Sequence, residues 1–189
     1  MNYATLATTE KEYKTIIKTL AAGYKHAGVH HRPNPRVVMA LRLEYATGMR
    51  MSDIVRLRQC DIVKDGNHYR LDLKEKKTQK QRFYRVSEAV RDMIDDYCAK
   101  RGKSSTDMII GGTVTGIEKQ LRQVVQYLGY NRISTHSLRK YAACDIYEQT
   151  GYNIAAVSKF LNHASTSTTL KYISSADRAL DEVLETRAV

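Results

Sequence analysis

His136 and Arg139 stand three residues apart in the stretch 134–143, "STHSLRKYAA", where an apolar helical pattern begins. Three-residue spacing puts both side chains on one face of a helix. The unpaired N–H groups and dipole at a helix start add their own attraction for phosphate. A guanidinium fork matches the nonbridging oxygens of a phosphodiester in a way an ammonium does not, so the pair suits a diester lying across the helix entrance. A polar group among Ser134, Thr135 and Ser137 is expected to cap the helix. Leu138, Ala142, Ala143 and Ile146 then anchor its other side in the core.

The elements that must hold such a pair are mostly helical. Thr9 and Glu12 have capping-box spacing ahead of Ile16, Ile17 and Leu20, which predicts a first helix. Pro33 and Pro35 punctuate the chain before "RVVMALRLEYATG", where Val38, Leu41 and Tyr45 share a stripe and Gly48 is the expected stop. "MSDIVRLRQ" reads as a short third helix. Between Ile62 and Val86 the period drops toward two, with turn chemistry at Asp65-Gly66-Asn67 and Thr78-Gln79, which predicts a small antiparallel sheet. Helices return in "SEAVRDMIDDYCAKRG", "TGIEKQLRQVVQYLG", "SLRKYAACDIYEQTG", "NIAAVSKFLNH" and "STTLKYIS". A tail helix over about 175–186 carries Leu180, Val183 and Leu184 on one face. The expected fold is a single, mainly α domain spanning 1–189, with a three-stranded antiparallel sheet on one edge.

Charge narrows the partner. Lys and Arg number 31 against 20 acidic residues, a formal charge of +11 over 189 residues, which favours a polyanion and above all nucleic acid. Cys60, Cys98 and Cys144 are odd in number and far apart, so they suggest reduced thiols rather than a disulfide framework or a zinc knuckle. No apolar run approaches the ~20 residues of a membrane span, and the expected location is the cytoplasm, with the nucleoid.

Three further stretches complete a set. "ATGMRMSDIVRL" places Arg50 just past the glycine stop, "KEKKTQKQRFYRVS" places Lys77 in the turn of the sheet, and "LNHASTSTTLKYI" places His163 nine residues before Tyr172. Arg50, Lys77, His136, Arg139, His163 and Tyr172, in that order, resemble the catalytic set of the tyrosine recombinases, the phage integrase family. An HxxR pair alone is a weak signal, whereas the ordered combination of TGxRxSD, KT in a turn, HxLR, and LxH followed by the spaced tyrosine is specific. The resemblance covers the family's catalytic domain almost entirely, from about the first helix to the helix after Tyr172.

The chemistry is coherent in its own right. A tyrosine hydroxyl has a pKa of ~10 and is a poor nucleophile unless neighbours stabilise its anion or take its proton. Arg50 and Arg139 are the natural clamp for a diester under attack, and with His163 donating as well, charge stabilisation requires no metal and no cofactor. By the resemblance, Lys77 protonates the leaving 5′ oxygen from a mobile turn, with Lys74, Lys76 and Lys80 as near competitors. The resemblance also implies that His136 is a base or phosphate ligand, and that Asp53 supports the site by orienting the first arginine and histidine. Lys74, Lys76, Lys80, Arg82, Lys140, Arg32 and Arg36 are expected to contact double-stranded DNA.

Alternatives stand beside these assignments. Tyr141, close to the HxxR pair, is second choice for the nucleophile among 13 tyrosines. His26 and His30, with His31 adjacent, imitate a metal pair on a helix face, but no third ligand cluster accompanies them, and phosphate contacts with Lys25, Arg32 and Arg36 are preferred. Most family members carry an N-terminal helical domain that closes a clamp around the duplex, and the residues before Arg50 leave no room for it. The chain is therefore expected to be a fragment of a mobile-element integrase, or else a short invertase of the fimbrial switch type. The resemblance further implies a tetramer on DNA, assembled through the tail helix. A type IB topoisomerase-like nicking-closing enzyme and a nonenzymatic DNA-binding domain are the rival functions.

Overall fold

The structure is a computed structural model and describes residues 7–174, so the expected tail helix lies outside the described residues. The first helix, α1 (Glu10–Ala22), opens on the anticipated capping box. The Glu12 N–H donates to Thr9 Oγ1 at 3.2 Å, and the Thr9 N–H donates to the Glu12 carboxylate at 2.8 Å. Ile16, Ile17 and Leu20 are its buried stripe.

A hairpin follows that the sequence reading did not contain. Strands β1 (Tyr24–His26) and β2 (Val29–His31) pair antiparallel, with Tyr24 opposite His31 and Lys25 opposite His30. Ala27 and Gly28 form its turn at φ 46° and 79°, and alanine at positive φ is not a turn signal that composition announces. His26 and His30 therefore sit on opposite strands of a ribbon rather than one turn apart on a helix. His31 stacks flat on Tyr24, with ring centroids 4.4 Å apart.

Helix α2 (Pro35–Thr47) is capped by Asn34, with a proline at its first position, and stops at Gly48 in the left-handed conformation. Only one stripe is expected to be buried, yet Val37, Val38, Met39, Ala40, Leu41 and Leu43 are all buried. The reason is position: α2 packs against α1, the short α3 (Met51–Ile54), α4 (Glu88–Ala99), α5 (Val114–Tyr127) and α6 (Thr135–Gln149). A helix with this many neighbours buries most of its circumference, leaving Arg42 exposed.

The sheet runs β3 (Ile62–Asp65), β4 (His68–Lys74) and β5 (Gln81–Val86) in sequential antiparallel order. Its turns fall where the sequence put them, and register pairs Ile62 with Leu71 and Leu71 with Tyr84. Two helices complete the described chain, α7 (Ile154–Leu161) and α8 (Thr166–Ser174). They close on α6 through a small apolar cluster of Ala143, Val157 and Leu161, with Phe160, Tyr172 and Ile173 packed against it, apart from the main core. Helix α6 thus joins the two, with Leu138 in the main core and Ala143 in the satellite. Among the described residues, no helix is long and apolar enough to cross a membrane.

Candidate active site

Gly48 is the pivot of the site. Its φ of 58° lets α2 end abruptly, and a side chain there would lie 2.5 Å from the ring of Phe160 on α7. Its carbonyl accepts from Arg139 Nε at 2.8 Å and from Arg82 Nη2 at 3.3 Å. Two residues on, Arg50 starts α3. The backbone turn that frees Arg50 from α2 is therefore the same one that seats the second arginine.

Arg139 enters from the first turn of α6, where Ser134 and Ser137 form the expected polar cap, the Ser134 N–H donating to Ser137 Oγ at 3.0 Å. Arg139 is 5% exposed, and its Nη2 also donates to the Leu161 carbonyl at 2.9 Å, so it ties the end of α2 to the end of α7. His136 lies outward on the same turn. Partial desolvation, and then the Arg139 charge, hold its pKa below the usual histidine value, with Lys77 and Lys140 acting in the same direction.

Helix α8 brings in the tyrosine. The Tyr172 ring centre is 5.9 Å from the Arg139 guanidinium carbon and 5.6 Å from the Lys140 ammonium, and its edge meets the His163 ring at 5.6 Å between centroids. His163 Nδ1 is 3.0 Å from Thr169 Oγ1, itself buried one turn before Tyr172 on α8. Burial, and then Arg139 and Arg50, push the His163 pKa down to about 4, so the ring is neutral at pH 7. Burial pushes the Tyr172 phenol up to about 12, only partly offset by Arg139 and Arg50. At neutral pH the phenol therefore keeps its proton.

Tyr141, the second choice, is elsewhere. It stacks on Tyr45 at 5.4 Å and approaches Tyr13 at 5.6 Å, lining a cleft of about 760 Å³ with Glu10, Asp145 and Glu148. Three carboxylates make that cleft a poor seat for a phosphate.

Lys74, Lys76, Lys77 and Lys80 are exposed at or beside the β4–β5 turn, and Arg32 is exposed just past β2. Arg36 is half-buried, its guanidinium against Gly112. Three expectations need correction. Arg82, expected on DNA, is 1% exposed: its guanidinium donates to the Glu75 carboxylate at 3.0 Å, the Thr47 carbonyl at 2.8 Å and the Phe160 carbonyl at 3.0 Å. It is a strut among α2, α7 and the sheet. Lys140, also expected on DNA, is 6% exposed and is turned toward Tyr172. Asp53, expected to orient Arg50, instead accepts the Lys76 backbone N–H at 2.8 Å and holds the turn.

Two residues were missed. Glu75, 0% exposed, accepts Arg50 Nη1 at 2.7 Å and Thr78 Oγ1 at 2.8 Å. Burial raises its pKa, but the Thr78 hydroxyl, Arg82 and Arg50 overcome that and leave it below the usual carboxylate value. No sequence signal singles it out. The inward position of Arg82, by contrast, was present in the alternation of "RFYRV", which puts it on one face with Tyr84 and Val86.

The second missed residue is Glu44 on α2, 1% exposed, with Oε2 lacking a hydrogen-bond partner. Burial holds its pKa well above the usual value, opposed by Arg139. A raised carboxyl pKa costs nothing below the unfolded value, and its penalty grows as pH rises above that. Glu44→Gln should therefore match the wild type in Tm near pH 4 and exceed it by about 2–4 °C at pH 8, equivalent to about 1 kcal/mol in a domain of this size. Thermal unfolding across that range is the check; a variant less stable at pH 8 would mean that Glu44 is ionised and paired.

Comparison with known proteins identifies the family and the fold. Residues 7–179 match the model of the phage integrase family. A tyrosine recombinase of Pseudothermotoga lettingae is 27% identical over 150 residues, 77% of this chain and 51% of that protein. Tyrosine recombinase XerC of Corynebacterium efficiens is 31% identical over 140 residues, 70% of this chain and 44% of that protein. The chain thus spans about half the length of these curated relatives. The catalytic domain of bacteriophage HP1 integrase superposes with a TM-score of 0.64 at 18% identity, over 97% of this chain and 96% of that one, so the fold is that of a tyrosine recombinase catalytic domain. The ordered residues, the fold around Gly48 and the family match over nearly the whole length agree: this chain belongs to the phage integrase family.

Proposed function

We propose that this chain is the catalytic part of a site-specific DNA recombinase that cleaves and rejoins duplex DNA through a 3′-phosphotyrosyl bond to Tyr172. The observation that carries the reading is the seating of Tyr172 within 6 Å of Arg139 and Lys140, edge-on to His163. The Tyr172 oxygen attacks the phosphorus, the bond to the 5′ oxygen breaks, and Arg50, Arg139 and His163 donate to the nonbridging oxygens as charge builds there. The phenol proton passes toward His136, whose pKa lies below the usual histidine value, while Lys77 supplies a proton to the departing 5′ oxygen. The new ester conserves the energy of the broken one, so a free 5′ hydroxyl reverses the step without a cofactor. Double-stranded DNA is the partner, Arg32 and the exposed turn lysines its contacts, and the cytoplasmic nucleoid the place. On DNA the chain would work as a tetramer.

Two assays run side by side separate the readings. Recombination between paired sites, with little relaxation of supercoiled DNA that lacks them, is expected of a recombinase; efficient site-independent relaxation would instead identify a nicking-closing enzyme. Lys77 has its own test. Lys77→Ala should cleave ordinary DNA slowly and regain near wild-type cleavage when the bridging 5′ oxygen is sulfur, because a thiol of pKa ~8.5 leaves without a proton. Arg50→Ala should stay slow on both substrates. Rescue of Lys74→Ala, Lys76→Ala or Lys80→Ala in place of Lys77→Ala would move the assignment to that lysine.

A further inference from the structure

Two fully buried carboxylates tie the segment carrying Arg50 to the turn carrying Lys77, one from each side. From the turn, Glu75 reaches back to Arg50 Nη1 at 2.7 Å; from the Arg50 helix, Asp53 reaches forward to the Lys76 backbone N–H at 2.8 Å. Arg56, just past that helix, adds a bond from its Nη2 to the Lys74 carbonyl at 3.1 Å. The turn itself closes on Glu75, whose N–H donates to the Lys80 carbonyl at 3.0 Å and whose carbonyl accepts from Gln79 at 3.0 Å. Thr78, next to Lys77, donates to the same Glu75 oxygen that Arg50 uses.

An exposed four-residue turn with Gln79 at a φ of 57° has little packing of its own to fix it. What orders it here is a set of hydrogen bonds to two carboxylates buried from water, where such bonds are strongest. The charge balance is also informative. An isolated Arg50–Glu75 pair would be neutral and would cancel the cation a diester needs. Arg82 donates to the other Glu75 oxygen at 3.0 Å, so two guanidiniums share one carboxylate and the cluster stays cationic.

We propose that Glu75 is a positioning residue that registers Arg50, the diester clamp, against the turn of Lys77, the proton donor, with Asp53 as the reciprocal half of the clasp. The proposal rests on the phosphotyrosyl reading above. Catalysis by the two groups is then coupled: loss of the Glu75 charge displaces both, not Arg50 alone.

The test measures adduct formation by Glu75→Gln, close in size to the wild type, on nicked duplexes with oxygen or sulfur at the bridging 5′ position. Cleavage of the oxygen substrate should fall by about tenfold or more. The loss should be at least about threefold smaller on the sulfur substrate, and smaller by a similar factor when Lys77→Ala is already present, since residues acting as one unit are not additive. Thr78→Val, which leaves both arginines their carboxylate, should show a milder defect confined to the oxygen substrate; it also carries the test if thermal unfolding shows that Glu75→Gln does not fold. Equal losses on both substrates and in both backgrounds would overturn the proposal and leave Glu75 serving Arg50 or the fold alone. An unchanged rate would overturn it too. If the wild-type chain forms no adduct on either substrate, the parent reading fails, a result distinct from a defect seen only in the variants.

Discussion

Wild-type chain mixed with a nicked duplex that carries its site should become covalently linked to DNA, and Tyr172→Phe should form no detectable adduct while binding the duplex equally well. This is the largest effect expected of any single substitution, because the lost atom is the one that makes the bond. Mass spectrometry of the digested adduct should place the nucleotide on the peptide containing Tyr172. An adduct that survives Tyr172→Phe, or that maps to Tyr141, would sink the assignment. Because the phenol, held up at about 12, keeps its proton until His136 takes it, the rate of adduct formation should level off in the neutral range and fall in acid as His136, held below the usual histidine value, becomes protonated itself. His163, already held down to about 4, should contribute no inflection near pH 6.5.

Arg50→Ala and Arg139→Ala should each slow cleavage by about a hundredfold or more, the effect of removing one preorganised donor from a developing anion. The two should differ in stability. Arg50 keeps part of its side chain at the surface, and its loss leaves Glu75 still bonded to Arg82 and Thr78. Arg139 bridges the Gly48 and Leu161 carbonyls inside the protein, so Arg139→Ala should lower Tm as well as the rate, taking its donor from the Leu161 carbonyl and leaving the Gly48 carbonyl only the 3.3 Å bond from Arg82. Cleavage should persist in excess EDTA, since guanidiniums carry the stabilising charge. Abolition by EDTA with recovery on adding magnesium would count against the mechanism, and equal Tm values for the two variants would count against the structural role of Arg139.

Much of this was legible in residue order. The capping box at Thr9, the stop at Gly48, the period-two stretch before Val86 and the spaced Arg, Lys, His, Arg, His and Tyr are local patterns, and local patterns specify where elements begin and which family they resemble. What the sequence could not determine is which polar residues lie inside. Arg82, Lys140, Glu75 and Glu44 look like ordinary surface charges in a strongly basic chain, and only packing shows otherwise. Arg82 is buried because its strand alternates and its inward position meets the carbonyls that end α2 and α7. Glu75 is buried where that same arginine and Arg50 each bond one of its two oxygens. The β1–β2 ribbon was hidden for a related reason: its short strands and alanine turn carry almost no propensity, and stacking of Tyr24 on His31 and on Tyr127 supplies what the local sequence lacks. The sequence by itself determined the family and the order of the residues that mark it. Only the tertiary structure decided how they are held, because burial and pairing of charges depend on residues brought together from distant parts of the chain.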